Sequence, residues 1–184
     1  MRLFIAVPLP AEIADRAAAC LPPTLPYLRP VRPERLHITL TFLGQVPDEQ
    51  LGPAIDAARA AVRGRRAFAV SLDHAGRFPA AGRPRAVWLG IGAGLDELSS
   101  LAADIARELR QRAFALEDRP FSPHLTLARV RPDPTATGSR TIATAVGTLT
   151  VPVLRLTVDR IAVVESRLSP GGARYTDRAL IPLS

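Results

Sequence analysis

The apolar positions of this chain fall into short runs and amphipathic stretches, separated by Pro- and Gly-rich segments. Residues 3–7 are continuously apolar and closed by Pro8 and Pro10, which predicts a buried strand. Residues 11–21 set Ile13 and the Ala17 to Cys20 side against Glu12, Asp15 and Arg16, the pattern of an amphipathic helix. Pro22, Pro23, Pro26, Pro30 and Pro33 mark an extended loop that carries Arg29, Arg32 and Arg35 toward a strand over 36–43, ended by Gly44. Asp48 and Glu49 open a helix that runs to Val62, with Pro53 tolerated in its first turns. Arg63, Arg65 and Arg66 then read as a solvated helix end. Strands are expected over 68–72 and 86–91, joined by a Gly/Pro/Arg loop over 76–85. Leu95, Leu98, Leu101, Ala102, Ile105 and Leu109 form the stripe of the clearest helix, 95–114. A loop over 117–123, a strand over 124–130, a polar turn region over 131–138 and a short helix over 141–146 come next. Residues 151–164 read as strand bent near Asp159, and a turn at 169–172 leads to a last hairpin strand over 174–183.

Hairpin-like strand pairs interspersed with helices argue for an α+β fold over a doubly wound parallel sheet. The length suits a single domain over residues 1–184. One tetrad occurs twice: His37-Ile38-Thr39-Leu40 and His124-Leu125-Thr126-Leu127. The copies stand about half a chain length apart. That spacing predicts two pseudo-symmetric lobes of mainly antiparallel sheet, related by a two-fold axis, with helices outside.

Composition adds a class of partner only through charge. Hydrophobic residues make up 47%, enough for a core. The formal charge is +7, and all 24 basic residues are arginine. A guanidinium pairs bidentately with phosphate, so an Arg-only surface suits an anionic partner such as RNA. Lacking lysine, the chain has no route through a lysine Schiff base or a lysyl-nucleotide adduct. The one cysteine, Cys20, permits no internal disulfide and reads as a small packed residue. No apolar run approaches the roughly 20 residues of a membrane span. The opening residues show no signal peptide, so a cytoplasmic protein without membrane contact is expected.

In a strand, residues i and i+2 share a face, so each tetrad sets an imidazole beside a hydroxyl. An imidazole titrates near 6.5, so of two facing ones, one can hold a proton while the other is free. Displacement at phosphorus needs this: a base for the attacking water and an acid for the leaving oxygen, on opposite sides. The threonines can donate to the non-bridging oxygens. A lone His-x-Thr is an ordinary packed histidine, but two copies take two of the three histidines and read as a paired site. His74 has no companion and reads as structural or surface. Two histidines without a third ligand make a poor zinc site, and neither a P-loop nor a Gly-x-Ser-x-Gly elbow occurs. No metal and no cofactor are expected.

The two tetrads look like the paired signature of the two-histidine (2H) phosphoesterase superfamily. Their flanks include residues 1–7, Arg32-Pro33-Glu34, Thr41-Phe42-Leu43-Gly44, Gly76-Arg77-Phe78-Pro79, residues 119–129 and Glu165-Ser166-Arg167-Leu168. These resemble the RNA 2',3'-cyclic phosphodiesterases, also called 2'-5' RNA ligases, over nearly the whole chain. The resemblance implies a bilobal fold with the motif strands lining a central cleft. It implies metal-free, cofactor-free hydrolysis of an RNA terminal 2',3'-cyclic phosphate to a 2'-phosphomonoester, by a monomer. Carried over, His37 is the general acid toward O3' and His124 the general base toward water. Thr39 and Thr126 hold the phosphate oxygens, and Arg129 contacts substrate. Strand parity turns Arg129 away from His124, so this role needs a bend; the same parity sends Phe42 to the core. The alternatives are ATP-independent 2'-5' RNA ligation in the same site, non-catalytic binding of RNA ends, and action on another cyclic phosphate or a 2'-5' oligonucleotide.

Overall fold

A computed structural model describes the chain except residues 26, 119, 132–134, 170, 171 and 184. Arg119 of the family-like flank and the centre of the expected turn at 169–172 therefore lie outside the described residues. The described strands are β1 (Arg2–Pro8), β2 (Leu28–Pro30), β3 (His37–Gln45), β4 (Phe68–Phe78), β5 (Ala86–Ile91), β6 (His124–Val130), β7 (Leu154–Val158), β8 (Arg160–Ser169) and β9 (Gly172–Pro182). The helices are α1 (Ala11–Ala19), α2 (Leu51–Val62), α3 (Leu95–Gln111) and α4 (Ala136–Gly147).

All nine strands join one sheet in the order β7-β4-β5-β6-β3-β1-β8-β9, with β2 paired to β6. Every pairing is antiparallel. The α+β expectation therefore holds, with four strands of that path on each side of the β3–β6 seam and β2 as the ninth, beside β6. That seam is narrow, a single register pair between Ile38 and Leu125. Both residues are fully buried, one in each tetrad. The break near Asp159 has a topological purpose: β7 pairs with β4 in one half, and β8 pairs with β1 in the other.

Leu3, Ile5, Ile38, Leu40, Leu72, Leu89, Leu125 and Leu127 pack with the stripes of α1, α2 and α3 into the main core. On α3 the buried residues are Leu98, Leu101, Ala102, Ile105 and Leu109, the stripe read from spacing except for exposed Leu95. Val87 points the same way as Leu89 and meets Ile142 and Val146 of α4, so the helices share one face of the sheet. The opposite face carries the half-buried His37, Thr39, His124 and Thr126.

Four local expectations are corrected. β2 forms inside the Pro-rich loop because β6 lends it a partner. β4 runs on to Phe78 through the Gly-rich stretch read as loop, since β5 pairs with it all the way. α4 is twice the expected length and is capped by Thr135, whose Oγ1 accepts from the Gly138 N–H at 2.9 Å. Arg65 is no solvated end: it bridges to Ser100 and Asp104 of α3.

Candidate active site

Each histidine is held by the chain just before it. His37 Nδ1–H donates to the Arg35 carbonyl at 2.7 Å, and His124 Nδ1–H donates to the Ser122 carbonyl at 2.8 Å. A carbonyl only accepts, so both rings take the same tautomer and both keep Nε2 for a ligand. The residue four before each histidine is a proline, Pro33 and Pro120. It rigidifies each approach and was the available sequence signal for this arrangement.

Aromatic rings wall each imidazole. His37 stacks on Phe4 with centroids 4.8 Å apart and meets Tyr175 edge-on at 5.3 Å. His124 meets Phe78 edge-on at 4.8 Å and Trp88 at 6.1 Å. Phe4, Phe78, Trp88 and Tyr175 come from four different strands, so no local pattern joins them to the tetrads.

The strand parity applied to Arg129 and Phe42 fails, and one device explains both. On β6, Thr126 pairs with Trp88 and Ala128 with Val87, which leaves Leu127 as an extra residue. On β3, Thr39 pairs with Ala6 and Thr41 with Ile5, which leaves Leu40 extra at the equivalent place. Each extra residue is a bulge, which reverses the facing of the residues after it. Arg129 thus pairs with Ala86 and Phe42 with Phe4, both on the histidine face. Phe42 is 56% exposed and 6.0 Å from the Phe4 ring, not part of the core. The bend that Arg129 required is supplied by this bulge.

Arg29 of β2 is the direct register partner of Arg129, so two exposed guanidinium groups share that end of the face. By sequence, Arg29 is only one of several loop arginines.

Burial pushes the pKa of both histidines below the ordinary value. The carbonyl bonds oppose this, and the Arg129 charge reinforces it at both rings. At His37 the Asp177 carboxylate pulls upward and His124 pushes down. A cavity of about 80 Å³ beside His37 is lined in part by Tyr175, Asp177 and Glu34. Two imidazoles with free Nε2 atoms, two hydroxyls and a guanidinium on one face can transfer protons in both directions around an anion.

The remaining singled-out residues lie elsewhere. Cys20 ends α1, where burial raises its thiol and its Sγ donates to the Arg16 carbonyl. Among the described residues, no group of three or more His, Cys, Asp or Glu is arranged to hold a metal ion. None of the described helices is long and apolar enough to cross a membrane. His74 lies on the histidine face of β4, level with His124 across Gly90.

Comparison with known proteins gives one consistent picture. A model of the 2'-5' RNA ligase superfamily matches residues 8–169. The RNA 2',3'-cyclic phosphodiesterase of Methanothermobacter thermautotrophicus is 32% identical over 190 residues, covering 100% of this chain and 99% of that protein. The protein of the same description from Aeropyrum pernix is 38% identical over 104 residues, 56% of this chain and 58% of that one. Among solved structures, Escherichia coli LigT complexed with 3'-AMP has a TM-score of 0.74 at 30% identity, covering 100% of this chain and 98% of that one.

Proposed function

The chain belongs to the 2'-5' RNA ligase superfamily, and from that premise we propose that it opens the terminal 2',3'-cyclic phosphate of RNA with water, leaving a 2'-phosphomonoester. The observation that carries this reading is the placement of His37-Thr39 and His124-Thr126 on one face, either side of the seam, each histidine with Nε2 unengaged. In the reaction, His124 Nε2 takes a proton from water as its oxygen bonds to phosphorus. The bond from phosphorus to O3' breaks, and His37 Nε2–H gives its proton to O3'. Thr39, Thr126 and Arg129 donate to the non-bridging oxygens, on which charge builds. Asp177 supports the acid role of His37, because it raises the proton affinity of that ring against the lowering by burial and by Arg129, and it has no counterpart at His124.

The test uses a 2',3'-cyclic phosphate-ended oligoribonucleotide with analysis of the product end. His37→Ala and His124→Ala should each lower kcat by at least about 100-fold, the scale of one positioned proton transfer. Both variants should keep the parental circular dichroism, and EDTA should leave the parent's rate unchanged. Undiminished turnover in either variant, or a 3'-phosphate product, sinks the reading.

A further inference from the structure

Resting on that reading of the site, we propose that His74 accepts a hydrogen bond from the ribose 2'-hydroxyl of the nucleotide adjoining the cyclic end. His74, Gly90 and His124 are successive register partners on β4, β5 and β6. Direct partners in antiparallel strands share a face, so the third imidazole stands on the catalytic face, two strand spacings or roughly 10 Å from His124.

The ring is held in one orientation. His74 Nδ1–H donates to Asp73 Oδ1 at 2.7 Å. Asp73 Oδ2 in turn accepts from the buried Ser71 hydroxyl, whose oxygen also receives the Ala93 N–H at 2.8 Å. Two glycines make room for the pair. A Cβ at Gly90 would collide with His74 Nε2, and one at Gly92 would collide with Asp73 Oδ2. The His74 side chain is nevertheless 55% exposed. It is packed edge-on against Trp88, 6.0 Å away, and the same indole flanks His124.

The chemistry selects the ligand. With Nδ1–H committed to the carboxylate, Nε2 presents a lone pair and takes a donor. The Asp73 carboxylate beside it disfavours a second anion, so a neutral hydroxyl fits better than a phosphate. On a single RNA strand reaching across Gly90 from the reacting phosphate, the donor that marks RNA is the 2'-hydroxyl. The site thereby gains a contact that a lone cyclic mononucleotide lacks.

The experiment compares kcat/KM for a dinucleotide ending in a 2',3'-cyclic phosphate, its analogue with a 2'-deoxyribose in the first nucleotide, and the nucleoside 2',3'-cyclic phosphate. In the parent, the deoxy change should cost roughly three- to tenfold, the size of one neutral hydrogen bond. His74→Ala should lower the dinucleotide-to-mononucleotide ratio by a similar factor, and in that variant the deoxy change should cost nothing more. A ratio equal to the parent's overturns the proposal. So does a His74 effect that does not depend on the 2'-hydroxyl, which would indicate a phosphate contact or a packing role. If the parent opens none of the three, it is the reading of the whole site that fails, a result distinct from failure at His74.

Discussion

His37 and His124 are near-equivalent in sequence, yet the Asp177 carboxylate acts on His37 alone. Both are pulled below the ordinary histidine range, first by burial and further by Arg129, and Asp177 opposes this at His37. In the proposed mechanism the active form holds a proton on His37 and none on His124. The alkaline limb of kcat/KM therefore reports proton loss from His37 and should lie below about 6.5. Asp177→Asn removes the negative charge that raises His37, so that limb should move to lower pH. Arg129→Gln removes a charge that lowers both rings, so both limbs should move to higher pH, beside the loss of a phosphate contact. Steady-state pH profiles on a nucleoside 2',3'-cyclic phosphate measure these shifts. An alkaline limb unmoved by Asp177→Asn would take the acid role away from His37.

At the scale of elements, the device that completes the site is a bulge made twice. Leu40 and Leu127 each occupy the third position after a motif histidine, and each turns the fifth position, Phe42 or Arg129, onto the catalytic face. Alternation within β3 and β6 was readable from residue types, since Ile38, Leu40, Leu125 and Leu127 are all buried. The bulge was not readable, because it is a property of two strands and exists only against β1 and β5. The β4–β5 ladder depends in the same way on large-to-small matching: a Cβ on Gly76 would collide with the Trp88 indole. Gly76→Ala should cost roughly 1–3 kcal/mol by overpacking and should lower activity as well, because Trp88 flanks His124. Gly52→Ala in α2, where an added Cβ meets nothing within 4 Å, is the control and should be neutral or stabilising. Thermal melts with parallel rate measurements check both, and a Gly76→Ala protein with parental melting and activity would contradict the packing argument.

For the whole molecule, the +7 charge and the Arg29–Arg129 end of the open face would contribute electrostatically to binding the proposed RNA substrate. The apparent affinity for a cyclic-ended oligonucleotide should therefore fall steeply between about 50 and 200 mM salt, while KM for a nucleoside cyclic phosphate changes much less. The single tryptophan, Trp88, adjoins His124, so quenching of its emission provides the binding signal. Equal salt slopes for the two ligands would remove the charge from any part in holding the chain.

The chain's residue order was enough for most of the strands, the helix stripes, the α+β class and the pair of His-x-Thr motifs. These depend on periods of two and about 3.6, which are local and survive in a single sequence. Long-range assembly settled the rest. It brought the tetrads together at Ile38 and Leu125, set Arg29 against Arg129, and gathered Phe4, Phe78, Trp88 and Tyr175 around the imidazoles. It also moved His74 from an isolated surface histidine to the catalytic face, across a glycine. The physical reason is that facing after a bulge, and neighbours across a sheet, are set by which distant strand supplies the hydrogen bonds. No periodicity along one segment encodes that choice.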